Sequence, residues 1–142
     1  MSIPYEGHPT PNLVTGGQPS RKDLEALKQD GLKTIINLRA EQEMQGMDEE
    51  ALASELGLHY VHIPVAGPDD ITFDAASTLH DAITEHEDQG KILIHCASSN
   101  RVGALLAIRA YHKLDKTPGE AMELGLKAGL TGLKQKVSSM LG

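Results

Sequence analysis

The sequence predicts an α/β fold, with a mainly parallel central sheet of about four to five strands and helices on both faces. Segments of strand and helix character alternate along the chain, which is the order of a parallel sheet with helical crossovers. The strand segments are solidly apolar, as in Thr34-Ile35-Ile36-Asn37-Leu38 and Lys91-Ile92-Leu93-Ile94, and strands of that kind are covered on both sides. A length of 142 residues fits one domain, residues 1–142, with room for a real core.

Each element follows from local chemistry. Asn12-Leu13-Val14-Thr15 reads as a short strand and Gly16-Gly17-Gln18-Pro19 as a turn. Ser20 is a good N-cap, and Asp23 three residues later completes a near-capping-box. Leu24 and Leu27 repeat at helical spacing, and Gly31 stops that helix. The β-branched run 34–38 is a buried strand, left through Arg39-Ala40-Glu41-Gln42. A second helix is expected from about Asp48 to Leu56, with the acidic run Asp48-Glu49-Glu50 as its negative first turn. His59-Tyr60-Val61-His62-Ile63 is the next strand, ended by Pro64, and Ala66-Gly67-Pro68-Asp69-Asp70 is loop. Helix returns from about Thr72 to Asp88, with Ala76, Leu79, His80 and Ile83 along one side. Gln89-Gly90 then turns into the strand that precedes Cys96. After the next helix, Asp115-Lys116 breaks the pattern, and Thr117 caps a further helix with Pro118 at its first position. Gly129 and Thr131-Gly132 punctuate two short C-terminal helices.

Composition narrows the function. A net charge of −7, three Tyr, one Phe and no Trp argue against nucleic acid, which needs basic surface and stacking platforms. No apolar run reaches membrane-spanning length, so no membrane partner is expected. The first twenty residues carry no signal pattern. The expectation is a cytoplasmic protein, or a mature exported domain with its signal removed. Seven histidines do not form a metal cluster: His59 and His62 fall on opposite sides of a strand, and His80 and His86 do not align on a helix. No metal and no other cofactor is expected.

The chemistry concentrates in His95-Cys96-Ala97-Ser98-Ser99-Asn100-Arg101. The single cysteine sits between an apolar strand and a helix start. Ligands bind at the carboxyl ends of parallel strands. A helix N-terminus presents unpaired N–H groups and roughly half a positive charge, which suits an anion. Arg101 adds a planar fork of donors matched to phosphate or sulfate oxygens.

This segment resembles the signature of the cysteine-dependent phosphatase superfamily, His-Cys-x5-Arg between strand and helix. The chain is most similar to the bacterial beta-lactamase-hydrolase-like phosphatases, a branch near the dual-specificity phosphatases. Gly16-Gly17-Gln18-Pro19-Ser20, Thr34-Ile35-Ile36-Asn37-Leu38-Arg39 and His62-Ile63-Pro64-Val65 sit where that family keeps similar segments, so the resemblance covers about residues 10–115. It implies a dual-specificity-phosphatase-like fold. It also implies hydrolysis of a phosphate monoester through Cys96 as nucleophile, with Arg101 and the N–H groups of Ala97, Ser98, Ser99, Asn100 and Arg101 on the phosphoryl oxygens. A general-acid aspartate is expected from Asp69 or Asp70, with Asp70 preferred. His95 orients the loop, and Arg39 is a candidate supporting residue, its alternative being a pair with Glu41 or Glu43. Arg109 reads as structural or surface.

The loop departs from the signature. Four residues, not five, separate Cys96 from Arg101; the usual glycine is absent unless Ser98 or Ser99 stands in for it; and Val102 replaces the usual hydroxyl residue. Ser98 or Ser99 is then the expected donor to the departing thiolate. The short loop also resembles that of rhodanese-like sulfurtransferases, with a persulfide on Cys96, and it is compatible with a non-catalytic anion-binding module. The expected partner is a small phosphorylated or sulfur-containing substrate.

Overall fold

A computed structural model describes residues 3–44 and 48–142. Five strands, β1 (Gly7–Thr10), β2 (Leu13–Gly16), β3 (Leu32–Asn37), β4 (His59–His62) and β5 (Lys91–His95), form one sheet in the order β1-β2-β5-β3-β4. Pairings β2–β5, β5–β3 and β3–β4 are parallel. Only β1 runs antiparallel, at the edge against β2. The sequence reading missed β1, because Gly7-His8-Pro9-Thr10 has no apolar run and carries a proline that only an edge strand tolerates.

Among the described residues six helices cover the sheet: α1 (Arg21–Gln29), α2 (Glu49–Glu55), α3 (Phe73–His86), α4 (Asn100–Lys113), α5 (Pro118–Lys127) and α6 (Lys134–Met140). The starts of α1 and α5 follow the expected caps. Ser20 Oγ accepts from the Asp23 N–H at 3.1 Å, and Asp23 answers by accepting from the Ser20 N–H at 2.9 Å. Thr117 and Glu120 form the same reciprocal pair at α5, while Asp48 and Thr72 accept from the Ala51 and Ala75 N–H groups at the starts of α2 and α3. Neighbouring strand residues alternate between two cores. Ile36, Ile92 and Ile94 pack with α3 and α4, whereas Ile35 and Leu93 pack with Leu24 of α1 and Leu52 of α2.

This layering places β5 in the middle, with parallel partners on both sides. Its end is held by the ladder, since Leu38 N–H donates to the His95 carbonyl at 2.8 Å and Cys96 N–H to the Gly16 carbonyl at 3.2 Å. Helix α4, which leaves the cysteine loop, is buried from Val102 to Ala110. Arg109 on it is buried and donates from Nε to His80 Nδ1 at 3.1 Å, a structural contact between α4 and α3. No helix among the described residues is long and apolar enough to cross a membrane.

The packing yields a stability expectation. Leu105 of α4 has no exposed surface. Leu105→Ala should cost about 2–5 kcal/mol in chemical denaturation.

Candidate active site

The site is built at the C-terminal edge of the sheet, where β2, β3 and β5 end together. Cys96 is the residue after β5 and is fully buried. Cys96 packs in the core cluster on the α3 and α4 side of the sheet, and it is close enough to Arg101 to act on the charge of the guanidinium. Arg101 is held above its ordinary pKa, first by the Glu43 carboxylate and then by the Cys96 sulfur, against the cost of burial.

Arg101 is fixed by partners from outside its own helix. Its NH1 donates to Glu43 Oε1 at 2.6 Å and to the Val65 carbonyl at 2.7 Å, and its NH2 donates to Glu43 Oε2 at 2.8 Å. A guanidinium has five N–H groups, and Glu43 with Val65 engages three. The remaining two, on Nε and on the adjacent side of NH2, lie parallel along one edge of the fork. That is the edge a bidentate oxyanion uses. The hydrogen bond from Arg101 lowers the Glu43 carboxyl from 4.5 to about 2, so Glu43 stays ionised at any ordinary pH.

The cysteine loop turns at Ser99, which has φ 67° and ψ 0°, left-handed values that a loop glycine would ordinarily supply. Ser99, not Ser98, therefore stands in for the missing glycine. Its hydroxyl is not available to a departing thiolate, because it donates to the Ala128 carbonyl at 2.5 Å. Ser98 is exposed and bridges to Gly17, and Ala97 is exposed beside it. Ser99 makes no side-chain cap on α4, which leaves the first-turn N–H groups of that helix suited to an anion. Asn100 instead turns its side chain away from the loop, where Oδ1 accepts from the N–H groups of Thr131 at 2.9 Å and Leu133 at 3.3 Å.

The segment after α5 thus forms the back wall of the loop, and Gly129 is its tightest point. A β-carbon there would lie 2.5 Å from Ser99 Cβ and 2.7 Å from Ser99 Oγ, and the backbone φ is +106°. Residue 129 is bare so that residue 99 can carry a side chain.

His95 is buried, and its Nε2 donates to Glu49 Oε2 at 2.6 Å. Glu49 also accepts from Gln18 Nε2 at 2.7 Å, and Gln18 Oε1 accepts from Arg39 NH1. Burial pushes the Glu49 carboxyl up, but the His95 hydrogen bond and charge, with Gln18 and Arg39, bring it below its ordinary value. The Arg39 side chain hydrogen-bonds to Gln18, not to Glu41 or Glu43, and its charge acts on Glu43 and Glu49. Glu49 corrects the reading of 48–50 as simply a negative first turn, since one of the three carboxylates points inward. Glu43 and Glu49 were the residues that sequence reasoning missed. Each sits in an acidic stretch that looks like solvated surface, and nothing in its spacing ties it to a loop about fifty residues away.

Asp69 and Asp70 are exposed in a short 3-10 turn, Pro68–Asp70. Asp70 Oδ2 accepts from the Ala66 N–H at 2.8 Å. This turn joins the site through Val65, whose carbonyl holds Arg101. Among the described residues no group of three or more His, Cys, Asp or Glu is placed to hold a metal ion.

A parallel sheet whose central strand delivers a cysteine to an arginine at a helix start, in this topology, defines a member of the cysteine-dependent phosphatase superfamily. More narrowly, residues 6–129 match the family described as DSP-PTPase phosphatase fused to NAD+ kinase, and the chain belongs to that family. It is 32% identical over 100 residues to a beta-lactamase hydrolase-like protein of Agrobacterium fabrum, a match covering 68% of this chain and 22% of that protein. The chain therefore spans about a fifth of the length of the curated relatives it matches. A DUF442 protein from Shewanella putrefaciens superposes with TM-score 0.75 at 21% identity, over 98% of this chain and 91% of that one. P. aeruginosa TpbA in complex with phosphotyrosine superposes with TM-score 0.72 at 16% identity, over 92% and 78%. These matches do not favour the sulfurtransferase reading.

Two measurements test this geometry. The Glu43 carboxyl is lowered on folding, so its contribution to stability is present above pH 4.5 and fades as pH falls toward 2. The stability gap between wild type and Glu43→Gln in urea titrations should be flat above about pH 5 and close below it. Gly129→Ala should cost about 1–3 kcal/mol or more. Ser99→Gly should change stability by less than about 1 kcal/mol, because backbone relief offsets the lost hydrogen bond.

Proposed function

We propose that the protein hydrolyses a phosphate monoester through a cysteinyl-phosphate intermediate, without a cofactor. The observation that carries this reading is the Nε/NH2 edge of Arg101 that Glu43 and Val65 leave unengaged, near Cys96 and at a helix start with no side-chain cap.

In this mechanism the Cys96 thiolate attacks phosphorus in line with the ester oxygen. The bond from phosphorus to that oxygen breaks, and the leaving oxygen takes a proton from Asp70. Water then attacks the cysteinyl phosphate and gives one proton to the Asp70 carboxylate, releasing inorganic phosphate and restoring both the thiolate and the Asp70 acid. Arg101 holds two equatorial oxygens, and the backbone N–H groups of residues 97–101 supply the remaining donors. Glu43 is a positioning residue, because it aims the arginine fork and neutralises its charge until the phosphoryl group arrives. His95 and Glu49 brace the start of the loop from below. The phosphotyrosine complex of TpbA supports a small phosphorylated group as substrate.

Asp70 is preferred over Asp69 because its carboxylate is held by the Ala66 N–H in the segment that also supplies the Val65 carbonyl to Arg101. That tether leaves one carboxylate oxygen to carry the proton.

Turnover of para-nitrophenyl phosphate tests the assignment. Cys96→Ser should abolish it, and Arg101→Lys should lower kcat/KM by about 10²–10³-fold. Activity surviving Cys96→Ser would remove the mechanism. Asp70→Asn should cost about 10²–10⁴-fold with alkyl phosphates and little with activated aryl phosphates; equal losses on both would remove Asp70 from the role.

A further inference from the structure

We propose that Arg109 binds a small oxyanion, through a phosphate or carboxylate group, at a second site on the seam between α3 and α4. The site is separate from the cysteine loop and does not depend on the phosphatase reading. Arg109 follows Arg101 on the same helix, about 12 Å further along its axis.

Arg109 is a buried cation whose charge no carboxylate of the protein meets directly. It is 8% exposed. Its side chain makes one hydrogen bond among the described residues, from Nε to His80 Nδ1 at 3.1 Å. The arginine–carboxylate pairs among those residues belong to Arg21, with Glu25 and Glu55, and to Arg101, with Glu43. Exposed Arg21 thus has two carboxylates and buried Arg109 has none. That reverses the usual order, because it is the buried charge that needs a partner. Burial lowers the Arg109 pKa, and the one charge that opposes it is that of Glu87, an exposed residue.

The guanidinium is nonetheless not sealed. Among the described residues, the fully buried side-chain polar atoms without a partner are Thr15 Oγ1, Asp23 Oδ1, Thr34 Oγ1 and His95 Nδ1. The two terminal nitrogens of Arg109 carry four N–H groups. They have no acceptor and are not in that set, so they reach solvent. An arginine can only donate, so His80 Nδ1 is the acceptor and the imidazole is neutral. Burial and the Arg109 charge hold the His80 pKa below its ordinary value, which keeps it in that role. With Nε engaged by α3, the end of the fork presents two parallel N–H groups, which suit a bidentate oxyanion.

The seam is braced and carries a second cation. The His112 and Phe73 rings pack with centroids 5.0 Å apart, so α3 and α4 touch there as well as at His80. Lys113 is exposed one helical turn after Arg109, and its charge acts on His80. Asp81 and Glu87 are the acidic residues whose charge acts on His80, and both are exposed. An oxyanion on the Arg109 fork would meet the charge that burial leaves without a direct partner.

The test is a titration of the full chain followed by NMR of the arginine guanidinium carbons. The four arginines are Arg21, Arg39, Arg101 and Arg109, so single substitutions assign each signal. Inorganic phosphate and acetate are the probes, against sodium chloride of matched ionic strength. The Arg109 signal should shift saturably with at least one probe and keep its midpoint in Arg101→Lys. In that background the backbone amides of His80 and Lys113 report binding to further variants. Arg109→Gln should weaken it about 10-fold or more, and Lys113→Gln about 2- to 5-fold. A shift that chloride reproduces, a response that vanishes in Arg101→Lys, or undiminished binding in Arg109→Gln would overturn the proposal. The wild-type titration needs no change at residue 109, so a poorly folding variant leaves it decisive. A silent Arg101 signal beside a responsive Arg109 would remove the phosphate site of the cysteine loop and leave this one standing.

Discussion

The grip of Glu43 on Arg101 is the constraint around which the site is organised. An arginine at the start of a helix can swing through many rotamers, and its charge alone does not aim it. Two carboxylate oxygens and the Val65 carbonyl fix the plane of the guanidinium and decide which of its edges stays open. The arginine and its two partners come from three parts of the chain: α4, the turn after β3 and the turn after β4. The parallel sheet brings them together because all of these turns leave from the same edge. The cradle is therefore a product of strand order, with no single segment containing it.

A second layer stands behind the first. His95 and Glu49 close the base of the loop, and Gln18 ties that pair to Arg39. The α5–α6 turn closes its back through Ala128, Thr131 and Leu133. An oxyanion site loses much of its value if donors must rearrange on binding. Here the cysteine loop and the Arg101 fork are held by groups that are themselves buried or bonded, which is the kind of support such preorganisation requires.

The fold was largely legible in the sequence, for physical reasons that can be named. Runs such as Ile35-Ile36 and Ile92-Leu93-Ile94 are apolar on both faces, which only a covered parallel strand needs. Ser20, Thr72, Thr117 and Pro118 carry the chemistry of helix starts. The edge strand β1 was not legible, because its stability comes from pairing with β2 and not from its own composition. For the site, the cysteine loop was visible as a local pattern, whereas its braces were not. Glu43 and Glu49 resemble the solvated carboxylates around them, and only tertiary contact distinguishes them. Ser99 was one of two candidates for the missing glycine, and only its φ separates it from Ser98.

The contact between Ser99 and Gly129 has a historical consequence. The two positions cannot drift independently, since a side chain at 129 has no room while one is present at 99. A glycine at 99 would remove the side-chain clash, but the residue 99 carbonyl, 3.0 Å from a β-carbon at 129, and the left-handed backbone there would still hold position 129 to glycine.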